Sequence, residues 1–150
     1  MIKEIVKWES LDIDNKVFSK FKMLVVEVDL YGVKYDFLVD TGTNESIIRD
    51  SIAEMLYDRI HIPDTDDGFI ITGIAEEVVK TRESIVTITV ANMNEAIPCN
   101  IVNMDNINKF FQGDIQVSGI LGNIFLRRAG WILDFHRLVI WVPNIYNDTE

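Results

Sequence analysis

Phe37-Leu38-Val39-Asp40-Thr41-Gly42-Thr43 decides the reading of this chain. An apolar run ends in a carboxylate, and a small hydroxyl residue and a glycine follow it. Glycine gives the backbone the freedom that a tight turn needs. Threonine hydroxyls bond to neighbouring backbone and hold such a loop in shape. Asp40 is thereby set at the mouth of a core and not out in a solvated loop. Taken alone, Asp40-Thr41-Gly42 is equally an ordinary turn after a strand, so its meaning depends on the segments around it.

Upstream, residues 23–30 (MLVVEVDL) are rich in β-branched residues and alternate after Val26. Tyr31-Gly32 reads as a turn, and Val33–Val39 resumes the alternation, so a hairpin leads into Asp40. Downstream, Ile48, Ile52, Met55, Leu56 and Arg59 fall at roughly helical spacing. They predict a short helix within residues 46–59, capped by Asn44 or Ser46. Residues 62–68 are a loop by composition. Phe69–Thr72 and Val78–Val90 read as the arms of a second hairpin, with Gly73-Ile74-Ala75-Glu76 near its tip. Residues 96–104 are a further strand, residues 105–113 a loop or a short helix, and Val117–Leu121 an apolar strand ending at Gly122. Asn123–Ala129 predicts about two helical turns, with Asn123 as cap and Gly130 as stop. Residues 131–135 and 138–142 then pair around His136-Arg137. The pattern is all-β with two short helices. Strands at this spacing form a barrel or sandwich, and the long strand–helix alternation of a parallel sheet is missing.

The chain of 150 residues is long enough for one domain, 1–150, and too short for two independent cores. Its net charge of −10 repels phosphate backbones, which argues against nucleic acid as a partner. No apolar run approaches the roughly 18–20 residues of a membrane span, and the first residues lack the basic and apolar regions of a secretory signal. The expected location is the cytoplasm, with no membrane partner. Cys99 is the only cysteine, which precludes an intrachain disulfide and reads as a small core residue. His61 and His136 stand in no metal-ligand spacing. Gly119 to Gly122 is no phosphate loop, because no Lys-Ser/Thr follows. Asp134, within Leu133-Asp134-Phe135, reads as structural. Asp64, Asp66 and Asp67 read as a solvated face whose spacing fits no Ca²⁺ loop. Trp8, Trp131 and Trp141 are expected in packing or at an interface.

Three segments in order lift the triplet above an ordinary turn. They are residues 23–43 ending in LVDTGT, the Gly73-Ile74-Ala75 hairpin, and GILGNIFL at residues 119–126 followed by WILDF at 131–135. In this order the sequence resembles the retropepsin-like aspartic proteases, over most of residues 23–142. The resemblance implies a retropepsin-like acid protease barrel acting as a C2 homodimer. Asp40 would be the catalytic residue, supported in its loop by Thr41, Gly42 and Thr43. Gly73, Ile74 and Ala75 would form the flap over an extended peptide or protein substrate. Ile120, Leu121 and Gly122 would pack beside the Asp40 loop. The reaction implied is peptide hydrolysis by a water held between two Asp40 carboxylates, one per subunit, with no cofactor and no metal. The alternative is a catalytically silent peptide-binding or dimerisation module, because Ala75 and Glu76 stand where the family often has more glycines. Residues 1–20 lie outside the resemblance and read as an N-terminal extension or a dimer strand.

Overall fold

The computed structural model describes residues 2–63, 69–72 and 78–149. Strand β1 (Ile2–Asp12) and helix α1 (Asn15–Phe21) come first, and β2 (Leu24–Leu30) and β3 (Val33–Val39) then form a hairpin. Tyr31 and Gly32, with φ of 53° and 95°, make its two-residue turn. Positive φ at both positions marks a type I′ turn, whose twist matches that of the flanking strands. The Gly32 N–H donates to Asp29 Oδ1 at 2.8 Å and locks it.

The chain continues through β4 (Ser46–Arg49), α2 (Asp50–Met55), β5 (Phe69–Thr72), β6 (Val78–Val90) and β7 (Met93–Val102). Helix α3 (Asp105–Phe110), β8 (Val117–Leu121), α4 (Asn123–Ala129), β9 (Ile132–Asp134) and β10 (Val139–Thr149) follow. Seven strands share one sheet in the order β2-β3-β8-β4-β7-β6-β5. A further pairing, Asp29 opposite Thr89, joins β2 to β6 and closes six of them into a barrel. Closure leaves those six strands without free edges. Val26, Val28, Phe37, Ile48, Ile88 and Ile97 belong to one buried cluster. Val25, Leu38, Ile47 and Ile120 belong to a second, with Val17, Met104 and Phe111 against them. Neighbours such as Val25 and Val26 point to opposite faces of a strand, and both are buried, so the sheet is covered on both sides here.

The β-barrel expected from the sequence is present, but four short helices lie among the described residues, not two. Residues 46–49 are a strand, not the first turn of a helix. Ile47 and Ile48 enter different core clusters, and β4 pairs in parallel with β7 and antiparallel with β8. A helix there would strip both neighbours of backbone partners. The helix starts only at Asp50, with Arg49 as N-cap in place of Asn44 or Ser46. Helix α1, not anticipated, is capped by Asp14, whose Oδ1 accepts the Val17 N–H at 3.0 Å. Residues 105–110 take the helical option. From α3, Asn108 acts as a strand neighbour for β8: its Oδ1 accepts the Val117 N–H at 2.7 Å and its Nδ2 donates to the Val117 carbonyl at 3.0 Å. Helix α4 spans the expected residues and stops at Gly130 with φ 70°, but Gly122, not Asn123, is its N-cap.

A second sheet has the order β1-β10-β9. Strand β1 runs antiparallel to β10, from Ile2 opposite Thr149 to Asp12 opposite Val139. Residues 2–12 are thus partnered within their own chain. Leu11, Ile140 and Val142 anchor this sheet on the main core. Glu9 accepts a hydrogen bond from Asn92 Nδ2, in the β6–β7 turn, at 2.7 Å. Trp8 stays 47% exposed, whereas Trp131 is buried against Phe125. No helix among the described residues is long and apolar enough to cross a membrane.

One position on the barrel works against folding. Asp36 and Glu27 face each other across the β2–β3 pair. Burial first, then the charges of Glu27 and Asp14, hold the Asp36 carboxyl above its ordinary value of 3.8. A raised folded value means that stability falls as pH rises through it. Asp36→Asn is therefore expected to raise the urea midpoint at pH 7, with the gain shrinking toward zero as the pH falls to the ordinary carboxylate range. An unchanged midpoint at pH 7 would refute the like-charge cost.

Candidate active site

The site follows from the strand order. Strand β8 lies between β3 and β4, which are consecutive in the chain. A chain leaving β3, parallel to β8, must cross the end of β8 to enter β4. Residues 40–45 make that crossing. The Asp40 N–H donates to the Leu121 carbonyl at 3.1 Å, which continues the β3–β8 ladder by one bond. Past the crossing, the Asn123 and Ile124 N–H groups donate to the Thr43 and Asn44 carbonyls at 2.6 and 3.0 Å. The Gly122 N–H donates to the buried Ser46 Oγ at 3.1 Å. The start of α4 is thus stitched to the loop: Leu121 bonds Asp40, Gly122 bonds Ser46 at the end of the crossing, and Ile120 lies one pair back, opposite Leu38 and Ile47.

Both oxygens of the Asp40 carboxylate are held. Oδ1 accepts the Gly42 N–H at 2.9 Å, and Oδ2 accepts the Thr43 hydroxyl at 2.9 Å. The group is half-buried, and these two bonds fix its plane. Thr41 is exposed, and among the described residues its hydroxyl has no hydrogen-bond partner. Two glycines on the β8 side allow the close approach. A Cβ on Gly122 would lie 2.8 Å from the Asn44 carbonyl oxygen, inside the crossing itself. A Cβ on Gly119 would strike the Phe37 ring and lie 2.6 Å from the Ile47 carbonyl oxygen. Such contacts are below any tolerated separation, so only glycine fits without a shift of backbone.

The proposed flap residues Gly73, Ile74 and Ala75 lie outside the described residues, as do Asp64, Asp66 and Asp67. The arms that carry the hairpin are paired, from Phe69 opposite Thr81 to Thr72 opposite Val78. Sequence reasoning misses Ser46 as a site residue, because its neighbours make it look like a helix cap. Its role appears only once β4 and β8 are seen side by side.

Cys99 and Asp134 have structural surroundings, and His61 is tied down through its backbone. Cys99 is buried, and burial pushes its thiol up to about 12, far from thiolate chemistry at neutral pH. His61 bridges to Ile85 through backbone bonds of 3.1 and 2.7 Å. Asp134 accepts the Arg137 N–H and guanidinium, both at 3.0 Å. These bonds, the backbone one first, hold its carboxyl down at about 2 and tie the β9–β10 turn. Among the described residues no group of three His, Cys, Asp or Glu side chains could hold a metal ion.

A family model described as "Aspartyl protease" matches residues 25–125. No curated protein sequence matches the chain significantly. Among solved structures, the chain is similar to a retropepsin-like aspartic protease from Rickettsia conorii. The TM-score is 0.59 at 14% identity, covering 99% of this chain and 98% of the other. It is also similar to the retroviral protease-like domain of Ddi1 from Leishmania major, with a TM-score of 0.54, 20% identity and coverage of 83% and 90%. The protease of EIAV, solved with the inhibitor HBY-793, gives a TM-score of 0.52 at 22% identity, covering 73% and 90%. At these identities the likeness establishes the fold.

Proposed function

Since the chain belongs to the retropepsin-like aspartyl protease family, we propose that it is an aspartic endopeptidase active as a two-fold homodimer. The observation that carries this reading is the Asp40 loop. One carboxylate per chain stands at the barrel mouth, with each oxygen pinned by one donor. Hydrolysis by this route needs two carboxyl groups around one water. The ionised one takes a proton from the water, whose oxygen adds to the carbonyl carbon, while the protonated one gives its proton to the carbonyl oxygen. As the C–N bond breaks, the carboxyl that took the water's proton gives it to the amine nitrogen, and a hydroxyl of the tetrahedral diol returns its proton to the other carboxylate as the carbonyl re-forms. Two close carboxyl groups share one proton readily, because both cannot easily ionise together. A two-fold axis places a residue against its own copy, so a second chain supplies the second Asp40. The Thr41 hydroxyl, without a partner among the described residues, would bond across that axis and hold the two loops together.

Cleavage of an unfolded protein or a peptide library is the test. Specific activity should fall on dilution through the dimer dissociation constant, in step with the dimer fraction measured by sedimentation. Activity that stays constant in a monomer would overturn the reading. A stable dimer that cleaves nothing would favour a silent peptide-binding module.

A further inference from the structure

A pocket of about 200 Å³ lies between the end of the active-site loop, β4, β6, β7 and α4. Ile97, Ile124 and Phe125 give it an apolar wall. Polar side chains also line it: Glu45, Ser46, Glu83, Asn100 and Arg128. Asn100 is 3% exposed. Its Nδ2 donates to Glu45 Oε2, which fixes the orientation of the amide, since a carboxylate can only accept. Asn100 Oδ1 is then left buried with no hydrogen-bond partner. A buried acceptor without a donor is costly, and structures rarely leave one so. Among the described residues, neither Glu45 nor Glu83 is paired with a cation. Arg128, at the same pocket, is engaged by Glu95.

The pocket therefore offers an unsatisfied acceptor, an apolar wall and two carboxylates that have no counter-ion among the described residues. Its one lining cation, Arg128, is taken by Glu95, so what is missing is a second cation, on an aliphatic stem, to face Asn100 Oδ1 and the two carboxylates. We propose that it binds a single alkyl cation, a guanidinium or ammonium group, with the head between Asn100 Oδ1, Glu45 and Glu83 and the stem on Ile97, Ile124 and Phe125. Its volume is below the roughly 300–1,000 Å³ of clefts that take drug-sized ligands, which suits one side chain. Glu45 ends the same loop that holds Asp40, so the pocket and the catalytic carboxylate share a wall. The cation is either an Arg or Lys side chain of the extended substrate, which rests on the protease reading above, or a free alkylamine or alkylguanidine, which does not.

The probe is n-butylguanidinium, with neutral n-butylurea as its isostere, titrated into the full chain and followed by amide chemical shifts. Butylguanidinium should give saturable shifts at residues 45, 83, 100 and 124–128, with the urea silent. The double variant Glu45→Gln/Glu83→Gln, shown folded by circular dichroism, should weaken binding by about tenfold or more. Asp40→Asn should leave binding in place, which separates failure of this pocket from failure of the protease reading. Enrichment of Lys or Arg at one position of a cleaved peptide library, lost in Glu83→Gln, assigns the occupant to the substrate. Saturable binding without such enrichment assigns it to a free cation. No saturable shift, equal binding of the urea, or unchanged binding in the double variant would overturn the proposal.

Discussion

Asp40→Asn is expected to abolish the proposed peptide cleavage while leaving the fold and the proposed dimer intact. The substitution is nearly isosteric, and the loop can absorb it. The oxygen of the new amide can keep the Gly42 N–H that Asp40 Oδ1 now accepts at 2.9 Å. The Thr43 hydroxyl, now a donor to Asp40 Oδ2, can rotate and accept from the amide nitrogen. Loop geometry is thus conserved, and what disappears is the capacity to take and give a proton. A homodimer carries the change twice, so base and acid are lost together. General acid–base groups contribute about 10²–10⁴-fold each, which places the expected loss at about 10⁴-fold or more. The measurement is the initial rate on an unfolded protein substrate, with sedimentation to show that the variant still dimerises. A variant that cleaves at the wild-type rate would remove Asp40 from the chemistry.

Gly119→Ala should have the largest effect on stability. The added methyl meets two things that cannot yield cheaply. One is the ring of Phe37, which is fully buried in the main core. The other is the Ile47 carbonyl oxygen at 2.6 Å, on the neighbouring strand. Relief requires either a new rotamer for Phe37 or a wider gap between β8 and β4. Overpacking a tight core costs about 1–3 kcal/mol, and more where backbone has to move. The upper end applies here, because one obstacle is backbone. For a chain of this size that corresponds to a loss of roughly 6–12 °C in Tm. Because β8 also carries Leu121, whose carbonyl receives the Asp40 N–H, activity should fall further than stability accounts for. An unchanged melting profile would show that the sheet opens at no cost.

Much of this arrangement is legible in the sequence because it is local. The β2–β3 hairpin declares itself through alternation and a Tyr-Gly turn, and α4 through its length and Gly130. Asp40 and Gly122 can be set side by side only because the ordered motifs resemble a known family, since 82 positions of chain separate them. What stays hidden depends on register between distant strands. Ser46-Ile47-Ile48-Arg49 looks like a helix start when read locally. It becomes a strand because β7 and β8 offer it hydrogen bonds on both sides, an offer that no window of sequence contains. The same holds for the pocket. Glu45 and Asn100 meet because β4 runs beside β7 with Ile47 opposite Asn100, and Glu83 joins them because it faces Asn100 from β6. Helix α1 does leave a signal, an Asp14 cap followed by Val17, Phe18 and Phe21 at helical spacing.

The insertion of β8 between β3 and β4 also sets the order of events during synthesis. Strands β3 and β4 emerge from the ribosome early, but neither can complete its pairing until residues 117–121 arrive. Contacts of such large sequence separation form late and slowly, since the loop between them must close first. The Asp40 crossing has nothing to cross until then. Asp40 gains the Leu121 bond, and its loop the two bonds from α4, only after nearly the whole barrel has been made. A nascent chain therefore holds no assembled Asp40 loop until its synthesis is nearly complete.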